Sequence, residues 1–446
     1  MGTGLTRFTS IAALAALLWV PSASANPLDA FGFGGRAVGL GGAMTASGDD
    51  VSANYYNPAN LASHQAMLFA LGYTYAQPKL SLNGADLHVD RVSGLYGGLI
   101  LPNRALDNRL ALSLSFYMPD DRLTRIRSMP EDQPRFALFD NRPQRFSVTT
   151  SAAYAITPTL RFGAGITYVS DTRGTANLTG LVSVTHAEDS LMIGGLDFLF
   201  RPVRSPTFGL SWDITDDLAL GLSLRESFTF NLDIGVSFRG DIASTHGGEV
   251  QPVAEDVSLD LSSLSRNLFS PRQVSLGVAW QRGPFRLSFD ASWLDWSAYQ
   301  PPTPEITLEA ELGDSGLALP SPPEPTTVSF RDIIIPRIGL ELSLWREAQS
   351  TLLTRAGYFY EPSPMLEQTG PTNYIDSTKH GCSLGVGWYT KALAPIIPDQ
   401  LELDWAIQTI VLETRNHLKE NPADPVGDIR STGIILNSTL TATVRF

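Results

Sequence analysis

Eight charged residues fall on the polar side of alternating segments: Arg145, Arg161, Arg225, Arg286, Asp290, Arg337, Glu402 and Asp404. A guanidinium held on such a face can bind a carboxylate bidentately even when partly desolvated. Arg145, Arg161, Arg225 and Arg286 are therefore candidate contacts for an anionic group. Acids and bases are mixed among the eight, so an internal network of ion pairs is the competing expectation. A second set, Tyr56, Asn57, Pro58 and Ala59, closes a Gly- and Ala-rich stretch that begins at Phe31. Asn57 can hydrogen-bond nearby backbone and hold a turn. Pro58 fixes φ and removes a donor, and the glycines before it permit close backbone approach. Such a segment packs tightly, and it serves either as a movable gate or as a static plug.

Enzyme chemistry finds little support. The glycines at 32, 34, 39, 41 and 42 do not spell G-x-G-x-x-G after a strand, and neither a P-loop nor a G-x-S-x-G elbow occurs. The histidines are scattered, and His380 with Cys382 matches no metal or nucleophile spacing. No catalytic residue, metal or cofactor is expected.

The elements that position these residues are strands. At the C-terminus Ile434, Leu436, Leu440, Ala442, Val444 and Phe446 share one face, and Asn437, Thr439, Thr441, Thr443 and Arg445 share the other. Strict period 2 over this length means a strand with one apolar and one polar side. The pattern recurs, for example at Leu110–Phe116, Leu160–Ile166, Leu218–Leu224, Val274–Trp280 and Cys382–Trp388. With less regular segments near 67–75, 92–101, 193–212 and 352–360, about fourteen strands are predicted. Their connections alternate between long (76–91, 119–143, 172–192, 235–270, 297–335, 361–379, 412–431) and tight. A Greek-key sandwich has no reason to keep that parity. An up-and-down membrane barrel does, with its turns at one rim and its loops at the other. An even strand count puts both termini on the short-turn side, expected to be periplasmic. Tyr73, Tyr75, Tyr117, Tyr154, Tyr168, Trp212, Trp280, Trp293, Trp296, Trp388 and Tyr389 fall near strand ends, where aromatic girdles form.

Export is expected from residues 1–25. Arg7 precedes an apolar run from Ile11 to Val20, and Ala23-Ser24-Ala25 has the small residues of a cleavage site. The run is shorter than the roughly 20 residues a helical span needs. The formal charge of −13 argues against nucleic acid and against a polybasic membrane-surface binder. A single cysteine, Cys382, forbids an intrachain disulfide, which leaves stability to a closed β-network.

Four features resemble one family. The segment ending Tyr56-Asn57-Pro58-Ala59 is similar to the hatch of FadL-type outer-membrane transporters for long-chain fatty acids and aromatic hydrocarbons. Asp290 to Ser297 resembles a strand ending in that family's Asp-Trp-Ser signature. Arg355-Ala356-Gly357-Tyr358 with Ser363-Pro364 resembles its Arg-x-Gly-Tyr strand and loop. Terminal Phe446 resembles the aromatic by which the barrel-assembly machinery recognises its clients. The resemblance implies an all-β transmembrane antiparallel barrel of fourteen strands in the bacterial outer membrane. Its parts would be a signal peptide (1–25), a hatch (26–66) in the lumen and a barrel (67–446). It implies passive uptake of a hydrophobic molecule, most simply a long-chain fatty acid, gated by the hatch and released sideways through the wall. Two departures accompany it. Gly34–Ala43 with Asp49-Asp50 also resembles a branch of the superfamily that serves protein secretion as a carrier or scaffold. The third strand, Arg109–Met118, has no internal Gly or Pro, so a wall kink for lateral exit is not legible.

Overall fold

A computed structural model describes residues 27–103, 106–120, 133–140, 145–183, 190–246, 249–299, 305–311, 329–393, 396–397 and 399–446. The leader 1–25 and the prolines at 301, 302, 304, 320, 322, 323 and 325 lie outside them.

Period-2 segments become strands of one closed antiparallel barrel. In chain order they are β1 (Leu68–Leu82), β2 (Val92–Pro102), β3 (Leu110–Pro119), β4 (Ser147–Ala155) and β5 (Leu160–Ser183). Next come β6 (Leu191–Thr215), β7 (Leu218–Arg225), β8 (Gln273–Arg282), β9 (Phe285–Leu294) and β10 (Ile333–Arg346). The last are β11 (Ser350–Glu361), β12 (Lys379–Thr390), β13 (Gln400–His417) and β14 (Ile429–Arg445). Each pairs with its sequence neighbours, and β14 closes on β1 from Leu68↔Arg445 to Leu82↔Ser431. Closure leaves no free edge inside the barrel wall. Strand β3 pairs along its length with β2 and β4 without a register shift.

Outward side chains are the apolar ones, among them Leu112, Leu114, Val278, Leu384 and Leu440. The inward rows are small or polar, and the eight charges named above all lie on that side. Of the aromatics expected in girdles, Tyr73, Tyr154, Trp212, Trp280 and Trp388 do face out. Tyr117, Trp296 and Tyr389 do not. Strand parity turns Tyr117 into the lumen over Gly94, and Tyr389 bonds lumen charges. Trp296 lies past the end of β9 in an aromatic cluster.

The expected parity of connections is present, with short turns at the rim where β1 begins and β14 ends. At the other rim several stretches expected as loops contain strands, among them Glu305–Glu311, which pairs with Ser258–Leu264. Strand β5 and strand β6 stay paired out to Leu181↔Leu191. A further hairpin, Phe228–His246 with Glu249–Ser270, pairs in parallel with the outer half of β5. The hairpin does carry period 2, with Phe228, Phe230, Leu232, Ile234, Val236 and Phe238 alternating with polar residues. Around this rim Phe136, Phe139, Phe269, Trp296, Tyr299, Phe330, Met365 and Tyr374 form one buried cluster that roofs the lumen.

Below the roof the N-terminal segment fills the barrel. It contains short helices α1 (Pro27–Phe31), α2 (Gly35–Gly39) and α3 (Ala53–Tyr56), and a 3-10 helix at Pro58–Ser63. Such short helices are not stable alone. They persist because the wall covers them: Ala37, Ala53, Asn57, Ala59 and Leu61 have no exposed surface.

Candidate functional site

A cavity of about 100 Å³ lies between roof and hatch. Its walls are apolar toward the roof (Phe31, Leu138, Phe139, Phe269, Trp296, Phe359) and polar toward the hatch (Asp29, Tyr56, Arg225, Asp290, Arg337). Leu138 and Phe139 come from a four-residue helix, α4 (Ala137–Asp140), in the β3–β4 connection. That connection is held by the parallel pairing of Arg135–Phe136 with Tyr374–Ile375.

The floor is the hatch, and its seat can be read residue by residue. The carboxamide of Asn57 donates to the carbonyls of Thr45 (2.7 Å) and of Leu210 in β6 (3.1 Å). Its Oδ1 accepts the Ala59 N–H and caps the 3-10 helix that Pro58 starts. Asn57 thus ties two hatch segments to each other and to the wall. Asn54 donates to Ser115 Oγ (2.7 Å) and the Thr149 carbonyl (3.1 Å). Tyr56 accepts the Phe33 N–H through its hydroxyl (3.3 Å), and burial pushes that hydroxyl up to about 12, so it stays neutral.

Where hatch backbone meets wall, the wall residue is glycine. A Cβ at Gly163 would overlap the Pro58–Ala59 peptide, and one at Gly209 the Asn57 side chain. At Gly221, Gly277, Gly339 and Gly357 it would strike Thr45, Ala46, Leu40 and Gly41. Several of these are cross-strand partners: Gly163 with Gly209, Gly221 with Gly277, Gly339 with Gly357. They form a belt on which the hatch backbone rests.

On the side of β10–β13 the hatch is held by charge. Arg36 bonds both oxygens of Glu341 (2.9 and 3.2 Å) and pairs with Asp49. Arg355, whose side chain has no exposed surface, bonds Glu341 (2.6 Å), Asp404 (2.6 Å) and Tyr389 (2.8 Å). Buried charges are tolerable only in such mutual satisfaction.

The candidate arginines divide accordingly. Arg161 grips Asp213 with both terminal nitrogens (2.7 and 2.6 Å), away from the cavity. Arg286 bonds Gln281 and Asp49, and it too lies outside the cavity. Arg145 is buried just ahead of β4 and does not line it either. Only Arg225 reaches the cavity, where it bonds Asp29 (2.7 Å) and the Tyr55 carbonyl (2.8 Å) and stacks on the Tyr55 ring. The expected ion-pair network is therefore the main use of Arg161, Arg225 and Arg286. Sequence reading passed over Arg36, Asp49 and Glu341 as functional positions and took Arg355 only as part of a motif. A signal did exist for the belt: glycines at lumen parity in β5 through β12.

Alkane uptake protein A of Marinobacter nauticus is 23% identical over 429 residues, covering 90% of this chain and 88% of that one. Among solved structures, a Pseudomonas aeruginosa FadL homologue superposes with a TM-score of 0.60 at 17% identity, covering 93% of this chain and 98% of that one. The P. putida toluene transporter TodX gives 0.53 at 14% identity, covering 93% and 99%. The sequence model of the outer membrane protein transport protein family (OMPP1/FadL/TodX) matches residues 14–446. The chain belongs to that family, a transport protein of the outer membrane and not an enzyme.

Proposed function

We propose that this protein is a passive channel for hydrophobic small molecules, with long-chain fatty acids as its substrate, and that residues 26–66 are its gate. The observation that carries this is the amphipathic cavity between an aromatic roof and the seated hatch. A chain of methylenes gains roughly 0.8 kcal/mol for each CH₂ moved from water to such walls. The name of the alkane uptake relative and the titles of the FadL and TodX neighbours support a hydrophobic cargo. In this account the leader 1–25 is removed, the long loops face outward, and the short turns and the C-terminal Phe446 lie on the periplasmic side, while the new N-terminus enters the lumen beside α1. Phe446, beside the β14–β1 closure, marks the chain for assembly. Because β3 is paired throughout, ligand leaves past the hatch on its β3–β6 side. The cavity favours a small-molecule cargo over the protein-secretion role.

The test is uptake of labelled oleate by cells lacking their own fatty-acid channel and expressing this chain, beside the Asn57→Ala variant. Uptake that changes with the substitution supports a gated channel. A folded, heat-modifiable barrel without uptake contradicts it.

A further inference from the structure

The connection between β11 and β12, residues 361–379, carries part of the roof. Met365 pairs with Phe330, and Tyr374–Ile375 pairs with Arg135–Phe136, the stretch that leads into α4 and sets Leu138 and Phe139 against the cavity. That cavity, at about 100 Å³, has room for roughly seven to ten waters. A long alkyl chain entering from outside needs more, so the roof has to yield.

What holds this connection is the outer end of β13, past the register shift between Leu412 and Arg415. Arg415 donates to the carbonyls of Met365 (2.9 Å) and Asp376 (3.2 Å). Lys419 donates to those of Gly370 (2.5 Å) and Thr372 (3.1 Å). Between the two, His417, which has no exposed surface, accepts the Gln368 N–H on Nδ1 (3.1 Å). A backbone N–H can only donate, so this ring nitrogen carries no proton. Nε2 is buried without a hydrogen-bond partner among the described residues. A proton on Nδ1 would set N–H against N–H, beside the cations Arg415 and Lys419. The other charges on the elements around the ring are Glu367 beside Gln368, Glu420, Asp424 and Asp428 after β13, and Arg430 at the start of β14. Of these acids, Asp428 accepts the Lys419 N–H, and Asp424 accepts the N–H groups of Val426 and Gly427 in its own turn.

We propose that residues 361–379 are an outer lid, latched to the end of β13 through unprotonated His417 and loosened by acid. The lid lies on the roof side of the cavity, opposite the hatch, and is a second device whatever the cargo. Latching excludes a proton from His417, so the unlatched ring binds one more readily. The latch is therefore complete above about pH 6.5, the ordinary histidine value, and weakens as pH falls below it.

The experiment is hydrogen–deuterium exchange of the full barrel in nanodiscs at pH 7.5 and pH 5.0, each rate divided by the intrinsic amide rate at that pH. In wild type, residues 366–377 should lose roughly tenfold or more of their protection at pH 5.0, while β11 and β12 keep theirs. His417→Gln, whose side-chain carbonyl can accept the Gln368 N–H without titrating, should show the same protection at both pH values. Lys419→Met should lower protection at both and keep the acid response. Wild-type protection that ignores pH would overturn the proposal, as would an acid response that persists in His417→Gln. Unchanged protection in Lys419→Met would move the latch off the end of β13 and overturn it too. None of these outcomes depends on whether oleate is carried, so the channel reading stands or falls separately.

Discussion

The two flanks of the hatch are held by different forces. Toward β10–β13, Arg36 and Arg355 share Glu341, and Arg355 reaches on to Asp404. Toward β3–β6, Asn54 and Asn57 make neutral hydrogen bonds, and the Pro58–Ala59 backbone rests on Gly163. On that neutral flank Asn54 Oδ1, Ser113 Oγ and Ser151 Oγ are buried without a hydrogen-bond partner among the described residues. Removing one member of a buried ion pair costs about 3–5 kcal/mol, whereas a neutral hydrogen bond contributes about 1 kcal/mol net. For the gate proposed above, this mounting makes the charged edge the hinge and the edge where Asn57 sits the one that would give.

Breaking the hinge should have the largest effect. Glu341→Ala removes the carboxylate that Arg36 and Arg355 share, leaving two buried cations with only Asp49, Asp50 and Asp404 as acidic partners, and the barrel should lose roughly 3–5 kcal/mol in urea titrations followed by heat-modifiable mobility. A loss below about 1 kcal/mol would erase the distinction between flanks. Crowding the free side comes next. Gly163→Val forces the Pro58–Ala59 peptide off the wall at an overpacking cost of about 1–3 kcal/mol. The wall itself should survive, so the readout is a steady leak conductance in planar bilayers that wild type lacks. A silent Gly163→Val channel would show that the contact is slack.

Acidification tests the free side without mutation. Burial, with Arg445 nearby, lowers His64 to about 4. An unseated hatch would return His64 toward its ordinary value near 6.5, so the unseated form binds the proton more readily. Seating is therefore complete above about pH 6.5 and weakens as pH falls toward 4, by about 2 kcal/mol at pH 5. Conductance should rise from pH 7.5 to pH 5, and His64→Gln should flatten that rise. A rise that persists in His64→Gln assigns the effect to another group.

Much of the barrel was legible because lipid outside and small polar residues inside impose period 2, as in Leu436 to Phe446. The outer rim was read less well. Residues 172–183 extend β5 into a stretch expected as a loop, and residues 235–246 pair as a strand where a loop was expected although Phe228 to Phe238 alternate with polar residues. Tyr117 and Tyr389 misled because aromatic type suggests a girdle, but parity decides the side. Within the site, Asn57 and Pro58 were readable because they act through local backbone. Arg36 and Glu341 were not, since their meeting joins positions 305 residues apart that only barrel closure brings together.

The central claim is that the hatch moves on its Asn54–Asn57 side. The most direct measurement places cysteines at 54 and 115, whose native side chains touch at 2.7 Å, in a Cys382→Ser background. Joining them with a short reducible cross-linker pins that flank to β3. Oleate uptake should stop when the cross-link forms and return on reduction. Undiminished uptake through a fully cross-linked channel would contradict a gate on this side.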